Sequence, residues 1–324
     1  YENFTEIPNI NKIRQNREKK LNEKLLNDSK KMYLQDIKSY KDSDIWLQTH
    51  YKNNKFDVLD VESNGDCFFA TIRESFKTVG VIITVATLRK ILSTHVTEEQ
   101  FKINRTLYKD YVKVLKEYQK EGKSMDSNLK KLLKEHSTLI ATAQKSKDDR
   151  NKIKRIGQQK DNLEKKIQTA NTEKKRLIKK MGITKQLYNE KKFMKNIKSF
   201  KDYKQIINTT SYWADETAIS ILEFLLNIKI IILSEERFNK GDVDVLSCGT
   251  TILTPIEKRG EFNPKYYIIV NHTGNHYKLI KYKEQSLFTF YDLPDIVREN
   301  IKTTCSTTLF NYIPLFNTFF KKSK

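Results

Sequence analysis

The stretch Asn64-Gly65-Asp66-Cys67-Phe68-Phe69 places a cysteine at the start of an apolar pattern with helical spacing. Apolar residues then recur every four positions, which predicts one buried face of a helix at Phe68, Ile72 and Phe76. Gly80 is a typical residue to end this helix. A thiol at a helix N-terminus is favoured as the thiolate, so Cys67 is a candidate nucleophile. The alternative is a structural cysteine that packs as a small hydrophobe.

The turn before Cys67 has the composition of an oxyanion hole. Gly65 permits a tight turn, after which the backbone N–H groups of residues 65–67 can point at one spot. Such donors stabilise the negative oxygen of a tetrahedral intermediate. The shape of this loop is therefore expected to matter as much as the thiol.

A second cluster, Gly274-Asn275-His276-Tyr277, follows about two hundred residues later. The runs Tyr266–Val270 and Tyr277–Tyr282 have strand composition and are separated by a short polar stretch, which predicts a β-hairpin. His276 is then expected on the second strand, just past the turn, where an imidazole can act as the base for a thiol. His272, in the turn itself, is the alternative base. Either residue is otherwise an ordinary core or surface histidine.

The remaining pattern predicts an α/β fold of the α+β type, with a central β-sheet flanked by helices. Lys55–Val61 has the composition of a strand leading into the cysteine loop, and Ile228–Leu233 that of a strand covered on both faces. A helix is expected around Ala86–His95, and Asp215 is a favourable N-cap for another. The aromatic-rich end of the chain, Phe288–Phe320, is expected to pack on the core.

The segment of about 106–192 interrupts this pattern. Apolar residues with three-four spacing run on both sides of a polar break at Lys145–Asn151, which predicts an inserted, long antiparallel helical hairpin. A single long helix or an oligomeric coiled coil is the alternative. The predicted organisation is therefore a basic helical arm at 1–50 and a main domain at 51–324, which the basic hairpin interrupts.

Positive charge is concentrated in the hairpin. The chain has a formal net charge of +21, and residues 101–200 hold 29 Lys and Arg against 11 Asp and Glu, a net charge of +18. A solvated helical surface explains this charge, and so does a docking surface for nucleic acid, an anionic membrane or an acidic protein. Few aromatic residues lie among the lysines, so any nucleic-acid binding is expected to be non-specific.

The three cysteines, Cys67, Cys248 and Cys305, are widely spaced along the chain. They form no CxxC pair and no zinc spacing, so we predict neither a metal site nor a disulfide framework, and no cofactor. A reducing compartment such as the cytoplasm is expected, because a catalytic thiol requires one. No apolar run approaches the roughly 18 residues of a membrane span.

Three motifs, in this order, resemble the ovarian-tumour (OTU) family of cysteine proteases. They are the stretch from Asn64 to Phe69, then Trp213-Ala214-Asp215, then His276-Tyr277. The resemblance spans about Lys55–Tyr282 without the hairpin. The lysine- and asparagine-rich composition is also similar to that of OTU-like proteins of large DNA viruses, which implies a host cytoplasm or a virion.

The resemblance implies a papain-like fold and the hydrolysis of isopeptide bonds at the C-terminus of ubiquitin, in polyubiquitin or another conjugate, or of a ubiquitin-like protein. By position, Cys67 is the nucleophile and His276 is the general base and acid. A ubiquitin tail that ends in two glycines requires a narrow channel, and the residues expected to line it are Gly65, Phe68, Trp213 and Tyr277. Trp213 is otherwise an aromatic wedge that packs the loop.

Two departures from the family pattern leave the orienting residue of the triad open. Asn64 stands where the family has an aspartate, and Lys278 stands where it often has an acidic or amide residue. A lysine cannot accept a hydrogen bond from an imidazole. The candidates are Asn64 itself, then Asn271, which the predicted hairpin places directly across from His276, and less favourably Asp66.

Two other functions fit the same residues. One is a thiol protease that acts on another ubiquitin-like modifier or on a viral polyprotein. The other is a binding or scaffold protein in which the basic hairpin binds nucleic acid or an acidic partner. Covalent modification of the cysteine and salt-dependent binding separate these classes.

Overall fold

The computed structural model describes residues 20–145, 150–249 and 262–321. The chain divides into two compact units, of which the first is Tyr1–Val96 with Lys204–Lys324 and the second is Thr97–Tyr203. In chain order the α-helices are α1 (Glu23–Lys38), α2 (Trp46–Tyr51), α3 (Cys67–Lys77), α4 (Val85–His95), α5 (Glu98–Lys145), α6 (Arg150–Lys191), α7 (Phe200–Ile207), α8 (Glu216–Leu226), α9 (Glu235–Asn239), α10 (Asp295–Cys305) and α11 (Pro314–Lys321). Short 3-10 helices span Lys192–Asn196 and Leu309–Tyr312.

The first unit is built on a mixed sheet, which has six strands in the described part of the chain. They are β1 (Phe56–Leu59), β2 (Ile228–Ser234), β3 (Leu246–Ser247), β4 (Tyr266–His272), β5 (Tyr277–Tyr282) and β6 (Leu287–Phe288). Their order is β1-β5-β4-β2-β3, and β6 pairs with the start of β4. β2 and β4 run parallel, and the other pairs run antiparallel.

Helices cover both faces of this sheet, since side chains alternate between the two faces along each strand. One face carries Ile231, Ile269 and Ile280 into a core that also contains side chains of α1, α10 and α11. On the other face α3 packs against β5, and α8 packs against β2. The α+β class, with a central sheet flanked by helices, is therefore confirmed.

The elements around the two sequence clusters agree with the predictions from periodicity. The helix predicted after Cys67 is α3, and Gly80 follows it with a φ of 73°. The predicted buried strand is β2, in which every residue but Ile232 is buried and which pairs with β4 along its whole length. Asp215 caps α8, because its Oδ1 accepts from the Ala218 N–H at 3.0 Å. The aromatic end of the chain packs into the core through residues that include Phe288, Phe290, Phe310 and Phe316.

The N-terminal segment is packed on the sheet over its described part. Tyr282 donates its hydroxyl to Asp36 of α1 at 2.5 Å, and the buried Arg298 donates to Ser29 at 2.8 Å. Tyr33 of α1 belongs to the core. Residues 1–19 of the predicted arm lie outside the described residues.

The prediction that no disulfide forms is wrong. Cys248, just after β3, is bonded to Cys305 at the end of α10, and the two lie 57 positions apart in sequence. They meet because α10 packs against β3, a contact that sequence spacing does not reveal. Cys67 remains the free thiol. The cysteine pattern therefore no longer supports a reducing compartment.

The second unit consists mainly of α5 and α6, which lie antiparallel. Asp126 pairs with Lys174 at 2.6 Å and His136 with Glu164 at 3.1 Å, so residue numbers rise along one helix as they fall along the other. The buried side chains of α6 are Ile156, Leu163 and Leu177. The predicted polar break includes residues 146–149, which lie outside the described residues. No helix in the described part of the chain is both long and apolar enough to cross a bilayer.

Candidate active site

Cys67 is the first residue of α3 and is almost completely buried, with 3% of its surface exposed. Asp66 is the N-cap residue, and its carbonyl accepts the first helical hydrogen bond, from Ala70, at 2.8 Å. Phe68 and Phe69 are buried behind the thiol and contact each other edge to face. The N–H groups of the first helical turn have no partner within an α-helix. They are therefore available beside the thiol.

Gly65 holds the loop in a shape that other residues cannot adopt without strain. Its φ is +91°, and an ideal Cβ would lie 2.1 Å from the Thr210 carbonyl oxygen and 3.1 Å from Trp213 Nε1. The backbone of the 210–213 turn therefore packs directly on the cysteine loop. Trp213 is wedged beside Gly65 but keeps 46% of its surface exposed.

Replacing Gly65 with alanine is expected to destabilise the protein by roughly 3 kcal/mol or more, because a left-handed backbone and a steric overlap act together. Gly80→Ala is the matched control, since Gly80 also has positive φ but has open space around its Cβ position. That change should cost only about 1–2 kcal/mol. Urea unfolding of both variants gives the two free energies, and equal losses would contradict the close approach at Gly65.

Arg89 of α4 joins this loop to the neighbouring turn. Its side chain is 3% exposed and forms an ion pair with Asp66 at 2.7 Å. It also donates to the carbonyls of Gly65, Ile207 and Tyr212. Arg89 was not predicted as a site residue, although an arginine in the middle of an apolar helix face is an available signal in the sequence.

His276 lies in the turn immediately before β5, and not on the strand as predicted. Its Nε2 is 2.8 Å from Asp60 Oδ1. With Nε2–H donating to the carboxylate, Nδ1 carries the lone pair and is the basic atom. Nδ1 is buried and has no hydrogen-bond partner among the described residues. This nitrogen is therefore free to take a proton.

The start of β5 brings the histidine turn against the nucleophile. The backbone N–H of Tyr277 donates to the Cys67 sulfur. The Tyr277 ring also contacts the Phe68 ring, with 5.5 Å between centroids. Because His276 directly precedes Tyr277, the fold brings the predicted nucleophile and the predicted base into one site.

Asp60 follows β1 and is the carboxylate that orients His276. The pairing of Leu59 with Leu279 places residue 60 beside Lys278, which lies two residues after the histidine. The hydrogen bond from His276 lowers the pKa of Asp60, and Lys278, 3.4 Å away, acts in the same direction. Lys278, which cannot accept from the imidazole, instead pairs with the residue that does.

None of the three residues named from sequence as the orienting group contacts His276 in this arrangement. Asn64 is exposed. Asn271 pairs with Lys278 and not with His276, because the four-residue turn spans 273–276 and not 272–275 as predicted. Its Nδ2 donates to Glu235 at 2.6 Å. Asp66 points to Arg89. The orienting role in this geometry belongs to Asp60.

Burial raises the pKa of the Cys67 thiol, and hydrogen bonds from the backbone N–H groups of Tyr277, Phe68 and Cys67 itself oppose this only in part. At neutral pH the Cys67 thiol is therefore neutral, and an attack by its sulfur requires a general base to take the proton. We expect the rate of Cys67 alkylation by iodoacetamide to keep rising with pH above the ordinary thiol pKa of about 8.5. A plateau below pH 7 would instead indicate a preformed thiolate–imidazolium pair.

The alternative base, His272, occupies the last position of β4. Its ring packs on Tyr277 at 4.7 Å, and burial lowers its pKa. A cavity of about 270 Å³ adjoins it, with the buried ion pair of Glu223 and Lys229 in its wall. Within the described ranges, no group of three or more His, Cys, Asp and Glu side chains is arranged to hold a metal ion.

Comparison with known proteins finds no matching family model and no matching curated protein. Among solved structures, one match is described as the structure of an ovarian tumor (OTU) domain in complex with ubiquitin. It is 17% identical and covers 40% of this chain and 69% of that chain, with a TM-score of 0.23. A likeness at this level carries no weight, so the functional conclusion rests on Cys67, His276 and Asp60.

Proposed function

We propose that the protein is an OTU-like cysteine protease that hydrolyses isopeptide bonds at the C-terminus of ubiquitin. The observation that carries this proposal is the geometry of His276. One ring nitrogen is bonded to Asp60, the other is buried with no partner among the residues that the structure describes, and the adjacent residue hydrogen-bonds to the Cys67 sulfur. This is the arrangement that nucleophile, base and orienting group require.

In the first half of the reaction, His276 Nδ1 takes the thiol proton as Cys67 Sγ attacks the carbonyl carbon of the terminal glycine. A sulfur–carbon bond forms, and the carbonyl oxygen becomes negative. Backbone N–H groups at the start of α3 donate to that oxygen. The intermediate then expels the lysine amine, which receives its proton from His276.

In the second half, His276 takes a proton from water, which attacks the thioester. The sulfur–carbon bond breaks, the departing Cys67 sulfur takes the proton back from His276, and ubiquitin leaves with a free carboxylate. Asp60 holds the ring orientation and stabilises the imidazolium that forms in each half. The exposed Trp213 and the partly exposed Tyr277 flank the narrow channel that a tail ending in glycines needs, whereas Phe68 is 1% exposed and packs behind the thiol.

The proposal is tested by incubating the protein with ubiquitin that bears a C-terminal electrophile, and separately with ubiquitin-like modifiers that bear the same group. A covalent adduct with ubiquitin, mapped to Cys67 by mass spectrometry, is the expected result. An adduct with another modifier alone would favour the alternative protease, and the absence of any adduct with folded protein would reject both.

A second candidate function is supported by the charge of α6. This helix holds 14 Lys and Arg against 4 Asp and Glu, and Lys165, Lys175 and Lys179 are exposed on it. Such a surface fits sequence-independent binding of a polyanion such as nucleic acid, or binding of an acidic protein. Binding to a duplex oligonucleotide should weaken steeply as the salt concentration rises. Replacing the three lysines with glutamine should reduce the slope of log affinity against log salt concentration by about 3.

A further inference from the structure

The guanidinium of Arg89 is the most heavily bonded buried cation beside the candidate site. Nη2 donates to the Gly65 carbonyl at 2.8 Å, and Nε donates to Asp66 Oδ1 at 2.8 Å. Nη1 donates to the Ile207 carbonyl at 2.8 Å, and the Tyr212 carbonyl accepts at 3.1 and 3.2 Å from Nη1 and Nη2. The group is thus bonded on all sides.

These contacts tie together the two backbone segments that flank the thiol. One is the loop that contains Gly65 and Asp66, and the other runs from Ile207 to Tyr212, next to Trp213. The guanidinium also lies over the Phe69 ring, 4.3 Å from its centroid, on the helix that Cys67 begins. A planar group with five donors can hold three carbonyls and a carboxylate at fixed angles, which a lysine ammonium cannot do.

The bond to the Gly65 carbonyl has a consequence for the next N–H. In a trans peptide the C=O of Gly65 and the N–H of Asp66 lie in one plane and point in opposite directions. Because the carbonyl is held toward Arg89, the Asp66 N–H is turned away from it. Gly65 has a positive φ and no Cβ to restrict its backbone, so the hydrogen bond from Arg89 is a restraint that this peptide needs.

We propose that Arg89 is a positioning residue that fixes the Gly65–Asp66 peptide so that the Asp66 N–H donates to the oxyanion. It acts through the peptide and touches neither substrate nor reacting atoms. The inference rests on the proposed thiol chemistry but not on ubiquitin as the substrate. It applies to any reaction in which Cys67 attacks a carbonyl.

The test compares two reactions of the same thiol. Acylation by p-nitrophenyl acetate forms the sulfur–carbonyl bond through a tetrahedral oxyanion and expels p-nitrophenolate. Alkylation by iodoacetamide forms a sulfur–carbon bond and expels iodide, with no oxyanion. Losing one oxyanion donor typically lowers the rate by 10²–10³. In Arg89→Lys we therefore expect acylation to fall about 10²-fold or more, while alkylation and its pH profile stay within about threefold.

Arg298→Lys is the matched control for lost stability. Arg298 is also completely buried in the first unit and donates to several carbonyls, including those of Phe290 and Tyr291, but it lies in the opposite core. Both variants should unfold at a lower temperature than the wild type. Only the Arg89 variant should show a lower ratio of acylation rate to alkylation rate. Arg89→Met, assayed below its unfolding temperature, repeats the comparison without the charge.

Each outcome separates this inference from the proposed function. Equal loss of acylation and alkylation in both Arg89 variants, or no loss of acylation, would overturn the positioning role, and so would a wild-type thiol that is alkylated but never acylated. Selective loss of acylation supports the role. If the wild type is acylated at Cys67 but forms no adduct with a ubiquitin electrophile, the choice of substrate fails and the role of Arg89 stands.

Discussion

Replacing Cys67 or His276 with alanine is expected to reduce hydrolysis of a ubiquitin isopeptide substrate by about 10⁶-fold, to the level of the residual binding effects. Without the thiol no acyl-enzyme forms, and without the imidazole a thiol whose pKa is raised by burial stays protonated at neutral pH. The two losses should not add, because the residues act as one unit. Single-turnover assays of both variants and of the double variant measure this.

His272→Ala is the matched control for His276→Ala. The two histidines lie at opposite ends of one turn, and both were candidates for the base. The His272 variant should keep activity within about tenfold, because His272 packs on Tyr277 and makes no contact with Asp60 in the described geometry. A loss in His272→Ala that equals the loss in His276→Ala would show that the base has been assigned to the wrong residue.

Replacing Asp60 with asparagine is expected to lower kcat by about 10²- to 10⁴-fold with little change in KM. The amide can turn its NH₂ group to the ring, which favours the tautomer that carries its proton on Nδ1, where the base must act. The hydrogen bond from His276 lowers the pKa of Asp60, so the carboxylate stays ionised throughout the neutral range. Ionisation of Asp60 itself should therefore add no pH dependence to the loss between pH 6 and pH 8.

Asn64→Ala and Asn271→Ala are the comparison variants for Asp60→Asn. Asn64 is exposed, and Asn271 donates to Glu235 on another part of the sheet edge. We expect Asn64→Ala to change kcat by less than about tenfold and Asn271→Ala to act mainly on stability. A loss in either variant as large as that of Asp60→Asn would move the orienting role to that residue.

Local patterns were enough to predict the elements that carry the nucleophile and the base. Apolar residues recur every four positions after Cys67, and they run continuously through β2. Such patterns predict burial directly, because the core determines where apolar residues stand in each of these elements. The hairpin that carries His276 followed from two short apolar runs and a turn. Its four-residue turn lies one position later than predicted, which takes His276 off the strand and pairs Asn271 with Lys278.

The third group and the disulfide could not be predicted in the same way. Asp60 reaches His276 across 216 positions, through the register of β1 against β5. That register is set by tertiary packing and not by any local signal. Arg89 is an intermediate case, since its place on an apolar helix face marked it as unusual, but its partners lie on two segments that are distant from it in sequence.

The bridge between Cys248 and Cys305 encloses β4, the His276 turn and β5 in one covalent ring. A protease that cuts one peptide bond inside the ring leaves a single molecule until a reductant opens it, after which two fragments separate. Closing a ring of this size removes about 4 kcal/mol of chain entropy from the unfolded state. The reductant that is routinely added to keep a catalytic thiol active would therefore also loosen the half of the molecule that supplies the base.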